Sequence, residues 1–540
     1  MSIVKSVTGI DPQFMDFFQP AFFSRFLRFF ASLLHYFGCN QTNISEFPFY
    51  CRFAYHKYTE NLFDCTSSAS LLCKRSDMCN PALGTGEIHM TKDLTQGNVT
   101  RVLLSFSIPL LLSTTLQQFY NIADSMIVGQ FTGSSGLAAV GAAYPVTLFF
   151  VAVATGASMG CSVVISRLFG LGAHHKMRKA VFTALIAFAI LGLALLAAGV
   201  GLSGFLMHLL NASEEIFSNA RMYLMIYALG ALPMLIYNAG NGIFTGWGDS
   251  KMPLIMLLIS SVLNVILDLF AVAVLQLGVA GAAAATSFSQ LVAAVMVCIL
   301  LSRRVKGMSK EREEGYFDRA ILKDMAAASI PCILQQGCVA LTHTIVQSIL
   351  NTYDTDIIAG YEAASKLHNF AYMGLNTIGT AFASFTAQCY GAGKHKRIWE
   401  GFRTCVIICL AITACIILLF QLFPHQLIGL FIDADANPLV IEAGTNYLRI
   451  ISPVYSIICF IIAAGGLLRG VGKSTTFFVE TLIEFIVRVT MCFVLTDVLN
   501  SYTGLMWAWY FGSSCGFIMC VFLSIRVYKK GAGLRAASNE

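Results

Sequence analysis

Two carboxylates stand in stretches that otherwise exclude charge. Asp124 is the only charged residue between Arg101 and Arg167, and Asp268 the only one between Lys251 and Arg303. Each lies in an apolar run long enough to cross a bilayer, where an acid costs roughly 2.5–3.5 kcal/mol on insertion scales. Acids kept at that cost mark ion or proton pathways by default. Each also has polar company at helical spacing. Gln117, Tyr120, Asn121 and Asp124 fall at i, i+3, i+4 and i+7, and Asn264 precedes Asp268 by four, so each set shares one helix face. Two carboxylates brought together cannot both ionise cheaply, and a proton or a monovalent cation held by oxygens would relieve the repulsion. The other reading is that each acid is a fixed hydrogen-bonding partner.

Further polar residues sit in neighbouring runs. Tyr237, Asn238 and Asn241 either join that network or bond helix to helix. Thr286, ending Gly281-Ala-Ala-Ala-Ala-Thr286, either adds a hydroxyl or bonds back to its own helix. Later in the chain Glu362 and Lys366, with His368 near them, and Glu484 and Arg488 are spaced i, i+4. That spacing predicts internal salt bridges that make burial tolerable, with gating or substrate contact as the alternative. His343 reads as a packed histidine. Gly470-Val471-Gly472-Lys473-Ser474-Thr475 resembles the end of a phosphate loop, but the position for its first glycine holds Leu467 and no strand precedes it. No ATP site is predicted, so uphill transport would draw on an ion gradient.

The elements that position these residues are membrane spans. Of 540 residues, 56% are hydrophobic and 12% charged, against about 25% charged in soluble domains. Apolar windows predict an all-α integral membrane protein of twelve transmembrane helices, near 102–128, 138–166, 181–207, 222–244, 253–276, 280–302, 325–350, 357–388, 402–423, 445–467, 476–497 and 503–525. Basic residues collect in loops of one parity: Lys176, Arg178 and Lys179; Arg303, Arg304, Lys306 and Lys310; Lys394, Lys396 and Arg397; Lys529 and Lys530. Loops of the other parity hold Glu214, Glu215, Asp354, Asp356, Asp433 and Asp435. The positive-inside rule then places both ends of the body in the cytoplasm. The formal charge of +6 is explained by those loops, so no nucleic-acid partner is predicted. The cysteines within the spans read as small apolar packing groups, and none has zinc spacing with histidine.

Residues 1–89 differ from the rest, with Phe-rich stretches and five cysteines but no clean span. They read as a poorly ordered extension, or as sequence upstream of a start at Met90. The body is written twice. Ser107-Ile108-Pro109 recurs as Ser329-Ile330-Pro331, and Gly170-Leu171-Gly172-Ala173 as Gly391-Ala392-Gly393. Tyr223-Leu224, Gly242, Gly246 and Gly248 recur 224 positions later as Tyr447-Leu448, Gly466, Gly470 and Gly472. Six helices per unit make the repeats parallel, with a substrate space between them. The predicted divisions are 90–303 for the first lobe, 304–320 for a cytoplasmic linker, 321–528 for the second lobe and 529–540 for a tail.

The Ser-Ile-Pro opening, Tyr120-Asn121-x-x-Asp124-x-x-x-x-Gly129, the Gly-x-Gly-Ala turn and the twelve-span duplication resemble the multidrug and toxic compound extrusion (MATE) family over residues 95–528. The resemblance implies two six-helix bundles around a V-shaped central cleft. It also implies export of organic cations or amphiphiles in exchange for protons or sodium ions, by a monomer in the plasma (inner) membrane. It assigns a first-lobe cation site to Asp124, Asn264, Asp268 and Thr286, which could hold a sodium ion, with Tyr120, Asn238 and Asn241 nearby. No cofactor beyond the coupling ion is implied. The match is nearest the DinF-like branch, because no glutamate follows Pro331. The main alternative is a flippase for lipid-linked saccharides or other amphiphiles.

Overall fold

The computed structural model describes residues 93–307, 315–431 and 437–537, and over these the secondary structure is helical. The extension expected over 1–89 lies outside them, as do 308–314 of the expected linker and the last three residues of the tail. The spans, in order, are α1 (Val99–Gly133), α2 (Ser135–Gly170), α3 (His175–Gly201), α4 (Glu214–Leu229 and Ala231–Gly246, bent by 46°), α5 (Lys251–Val274) and α6 (Gly278–Lys306). The second set is α7 (Arg319–Leu350), α8 (Thr355–Gly391), α9 (His395–Leu422), α10 (Pro438–Gly470), α11 (Ser474–Leu499) and α12 (Thr503–Val527). Among the described residues nine are apolar and long enough to cross a membrane on their own, and bent α4 makes ten. The two that fall short, α8 and α11, hold the intramembrane charges Glu362 and Lys366, and Glu480, Glu484 and Arg488. Interior charge lowers their hydropathy without removing them from the bundle.

The duplicated glycines are a packing device. A Cβ on Gly242 would stand 2.7 Å from the Ser158 carbonyl oxygen, and one on Gly466 2.8 Å from that of Gly379. Thus α4 lies against α2 as α10 lies against α8, backbone to backbone, the close approach that small residues permit in membranes. The turns that follow are also paired. Gly248 and Gly472 adopt φ +77° and +81°, a left-handed conformation open to glycine at no steric cost.

The two sets of six helices interlock at the end that carries the basic loops. Leu94, Val102, Leu103, Phe106 and Leu110, leading into and opening α1, belong to the core of the second set. In return Ile321 and Met325 of α7 belong to the core of the first. Glycine again permits the approach: a Cβ on Gly160 would meet Ser329 Cα at 2.4 Å, and one on Gly391 the Arg167 carbonyl oxygen at 2.3 Å. Ser329 Oγ donates to the Ala157 carbonyl at 3.0 Å, and the Ser162 and Ser384 hydroxyls meet at 3.0 Å. The hydrogen bonds that cross between the sets reach outward as far as Gln118 Nε2 on Met373 Sδ, 2.7 Å. Beyond that level Phe119, Tyr144, Phe149, Leu341 and Phe370 are exposed. A cleft therefore opens toward the end remote from the basic loops.

Candidate functional site

The acids meet inside the first set of helices. The carboxyl groups of Asp124 on α1 and Asp268 on α5 lie within hydrogen-bonding reach of one another. Asp268 is fully buried and Asn264 is 1% exposed. The Asn264 amide, oriented as its neighbours require, donates to Asp268 Oδ2 at 2.6 Å and accepts from the Thr286 N–H at 3.2 Å. The Thr286 hydroxyl in turn meets the Tyr120 phenol. Four helix positions expected to converge therefore do: Tyr120 and Asp124 from α1, Asn264 and Asp268 from α5, with Thr286 of α6 closing the ring.

Local structure holds them there. Asp268 is the last α-helical residue before a π-helical stretch, Leu269–Val274, a local widening that often accompanies functional sites. It lets α5 turn Asp268 inward while Phe270 and Val274 remain exposed. One oxygen on each acid, Asp124 Oδ1 and Asp268 Oδ1, is buried without a hydrogen-bond partner. Two adjacent carboxyl groups, each with an unspent oxygen, stand beside the Tyr120 and Thr286 hydroxyls, while the Asn264 amide steadies Asp268 through its N–H. That donor set fits a proton or a hard monovalent cation.

The other expected residues divide. Gln117 and Asn121 are exposed, and no hydrogen bond joins their side chains to the acids among the described residues. Asn238 donates to the Met234 carbonyl on its own helix at 2.9 Å, and Asn241 meets Tyr237; neither is bonded to the acids. Two tyrosines of α4 complete the surroundings instead. Tyr223 lies in the electrostatic field of both acids and Tyr227 in that of Asp124. Tyr223 was visible in the sequence as a repeat marker; Tyr227, four residues on, shares its face and was the available signal.

In the second set Glu484 and Arg488 form the expected ion pair. Glu362 and Lys366 do not. Lys366 is exposed with its Nζ 5.9 Å from the Phe431 ring, while Glu362 accepts from Ser365. These residues lie in the first turns of α8, toward the open side of the bundle, where a lysine reaches outward and leaves the acid behind. His368 is the buried histidine, its Nδ1 2.9 Å from the Tyr455 hydroxyl and its ring against Trp509. His343, expected to be packed, is exposed. Glu480 was missed: it is fully buried, with Oε1 unpartnered. Its spacing, two turns before Arg488 on the same face, was legible. All twelve cysteines among the described residues are free and nine are buried, as packing groups should be.

Residues 109–270 and 331–494 each match the MatE family model, together well over half of the chain. This chain belongs to the MATE family of transporters. The double match coincides with the internal duplication, each copy beginning at the proline of a Ser-Ile-Pro motif. This MATE transporter is 28% identical over 394 residues to the probable multidrug resistance protein YpnP of Bacillus subtilis (strain 168), covering 73% of this chain and 87% of that protein. It is 25% identical over 435 residues to the FAD transporter of Shewanella oneidensis, covering 79% and 95%. An outward-facing structure of a multidrug resistance MATE family transporter of the MOP superfamily matches with a TM-score of 0.75 at 22% identity, over 81% of this chain and 97% of that one. The fold is therefore that of a multi-pass MATE transporter, not of an enzyme.

Proposed function

We propose that this chain exports drug-like small molecules, organic cations or other amphiphiles, by alternating access, driven by protons or sodium ions that enter through Asp124 and Asp268. The observation that carries the reading is the pair of adjacent acids with one buried, unpartnered oxygen each. Such a pair is tolerable with a proton or cation between the groups and strained without one. Loading it from the open side lets α1 and α5 settle together; releasing the ion on the basic side loosens them, and the cleft can exchange its cargo. The names of relatives, multidrug resistance proteins among them, support the same reading. The basic loops would face the cytoplasm of a cell whose plasma membrane holds the protein as a monomer. With no acid following Pro331, the coupling site belongs to the first lobe alone, in the manner of the DinF-like branch.

The test is dye efflux from vesicles containing the purified protein, with a pH gradient or a sodium gradient imposed separately. Asp124→Asn should abolish the response to whichever gradient drives the wild type. Gradient-driven efflux that persists in this variant and in Asp268→Asn would remove the acids from the coupling step.

A further inference from the structure

The second set of helices holds a cavity of its own, and its charges differ from those of the acid site. It is lined by Gln335 of α7, Tyr372 and Asn376 of α8, Arg469 of α10, and Glu484 and Arg488 of α11, among others. Arg469 is 3% exposed, and its recorded contacts are the Gly465 carbonyl on its own helix, Met159 Sδ and the face of Phe477. Among the described residues no carboxylate pairs with it. Arg488, 9% exposed, is paired with Glu484, lies 3.9 Å over the Trp509 ring, and has its Nε buried without a partner. Glu480 does not line the cavity; it packs against Gly516 of α12. The charged groups at the cavity wall are thus two guanidiniums and one carboxylate, and that carboxylate is already engaged by Arg488 and Ser513.

The internal repeat sharpens the contrast. The 224-residue offset that aligns Gly246-x-Gly248 with Gly470-x-Gly472 places Arg488 at the position of Asn264, Cys492 at that of Asp268, and Arg469 at that of Thr245. Where the first copy places paired carboxyl groups, the second presents guanidinium groups. A buried guanidinium without a carboxylate is costly in the absence of a counter-ion, and its planar fork matches carboxylate and phosphate oxygens.

We infer that the second-lobe cavity is an anion receptor, in which Arg469 and Arg488 bind an oxyanionic group, carboxylate or phosphate, on the exported molecule. Gln335, Asn376 and the Tyr372 hydroxyl line the same cavity and supply further donors. The inference rests on the export reading and refines it: the preferred cargo carries an acidic group as well as an apolar body, so zwitterions and acidic amphiphiles are favoured over simple cations.

The test uses matched probes that differ in the acidic group alone. Rhodamine B is compared with its ethyl ester, and flavin mononucleotide with riboflavin, for binding to the full-length protein in nanodiscs with no gradient. Each acid should bind roughly 10-fold or more tightly than its partner lacking the acidic group, as one charge-assisted contact would supply. Arg469→Gln and Arg488→Gln should each erase that preference while leaving the ester and riboflavin unchanged, and Arg469→Lys should restore part of it. Preference for one acid alone tells carboxylate from phosphate, and competition by inorganic phosphate shows whether the bare group suffices. Equal binding of each pair to the wild type overturns the inference, as does a preference that survives both glutamine variants. Should Arg488→Gln, which strips the Glu484 carboxylate of its partner, fail to fold, Arg469→Gln carries the same comparison. Efflux is measured apart from binding, so a protein that prefers the acids but moves no dye refutes the export reading and leaves the receptor standing.

Discussion

The two halves of this transporter share a scaffold and differ in what they place at its centre. Gly242 and Gly246 bring α4 onto α2 just as Gly466 and Gly470 bring α10 onto α8, and a left-handed glycine turn follows the helix in both copies. At the polar centre the correspondence stops. On α5 the first copy has Met256, Ser260, Asn264 and Asp268; on α11 the second has Glu480, Glu484, Arg488 and Cys492 at the same offsets. Backbone contact constrains the glycines, because any added Cβ collides. The inward face of α5 and α11 is constrained by what it must hold. A duplicated fold can therefore keep its packing while its halves carry different chemistry, paired carboxyl groups in one and guanidinium groups in the other.

Breaking the ion pair in the second half should have the largest effect. Glu484→Gln leaves the Arg488 guanidinium buried without its carboxylate, a change that costs about 3–5 kcal/mol in buried pairs. Its counterpart in the first half is Ser260, whose hydroxyl donates to the Leu257 carbonyl on its own helix at 3.0 Å. Ser260→Ala should cost about 1 kcal/mol or less. Thermal unfolding of the two variants in one detergent checks the contrast; equal midpoints would mean that α11 does not depend on its pair.

A smaller contrast separates the two ends of the molecule. Gly160→Ala drives a methyl group into the Ser329 backbone, while Gly141 and Gly337 have open space around them. Overpacking of this kind costs about 1–3 kcal/mol, so Gly160→Ala should destabilise the closed basic end. Gly141→Ala and Gly337→Ala should be near neutral. Distances between spin labels on Leu171 and Ala392 would widen in the first variant only. Widening in all three would mean that closure does not rest on backbone contact.

Much of this was legible in the sequence, for physical reasons that also explain the gaps. Apolar windows anticipated the twelve long helices, although α8 and α11 fall short of the hydropathy of a span, because a bilayer demands long apolar helices. The lone acids stood out because charge in those runs is expensive. The pairing of Glu362 with Lys366 was misjudged because spacing states which residues can meet, while exposure at a helix end decides whether they do. The exposure of Gln117 and Asn121 depends on how α1 is rotated against the second set, which one helix cannot specify. Glu480 sat beside two recognised charges and was passed over because it lies one turn outside the i, i+4 pair. The crossing of α1 into the core of the second set has no local signature; it arises from contacts between residues hundreds of positions apart.

The smallest effect concerns the two straps that lead into α1 and α7. Residues 93–98 are held on the second set by polar contacts. Arg397 donates to the Leu94, Gln96 and Gly97 carbonyls, Lys394 to Thr95, and the Leu94 N–H donates to Gln388 Oε1 at 3.1 Å. Asp93 belongs to the same strap. Burial favours its neutral form, but hydrogen bonds from Thr95 and Gln96 and the charge of Lys394 outweigh this and hold its carboxyl below the usual range. A depressed value means its share of stability is present at neutral pH and lost as pH falls through that folded value. The strap before α7 is held on the first set by rings instead: Tyr316 lies under Arg178 at 4.9 Å and edge-on to Phe182, with one hydrogen bond from the Asp318 N–H to Thr183. Arg397 is half-exposed, so its several contacts should be worth only about 1 kcal/mol together, and the Tyr316 ring a comparable amount or less. Hydrogen exchange distinguishes them. Arg397→Ala should speed exchange of the Leu94 amide several-fold and leave residues 315–321 alone, and Tyr316→Ala should do the reverse. High salt should mimic the first variant and not the second, since screening weakens exposed charge contacts and spares ring packing. Coupled loosening of both straps by either variant would mean that the two halves let go of each other as a single unit.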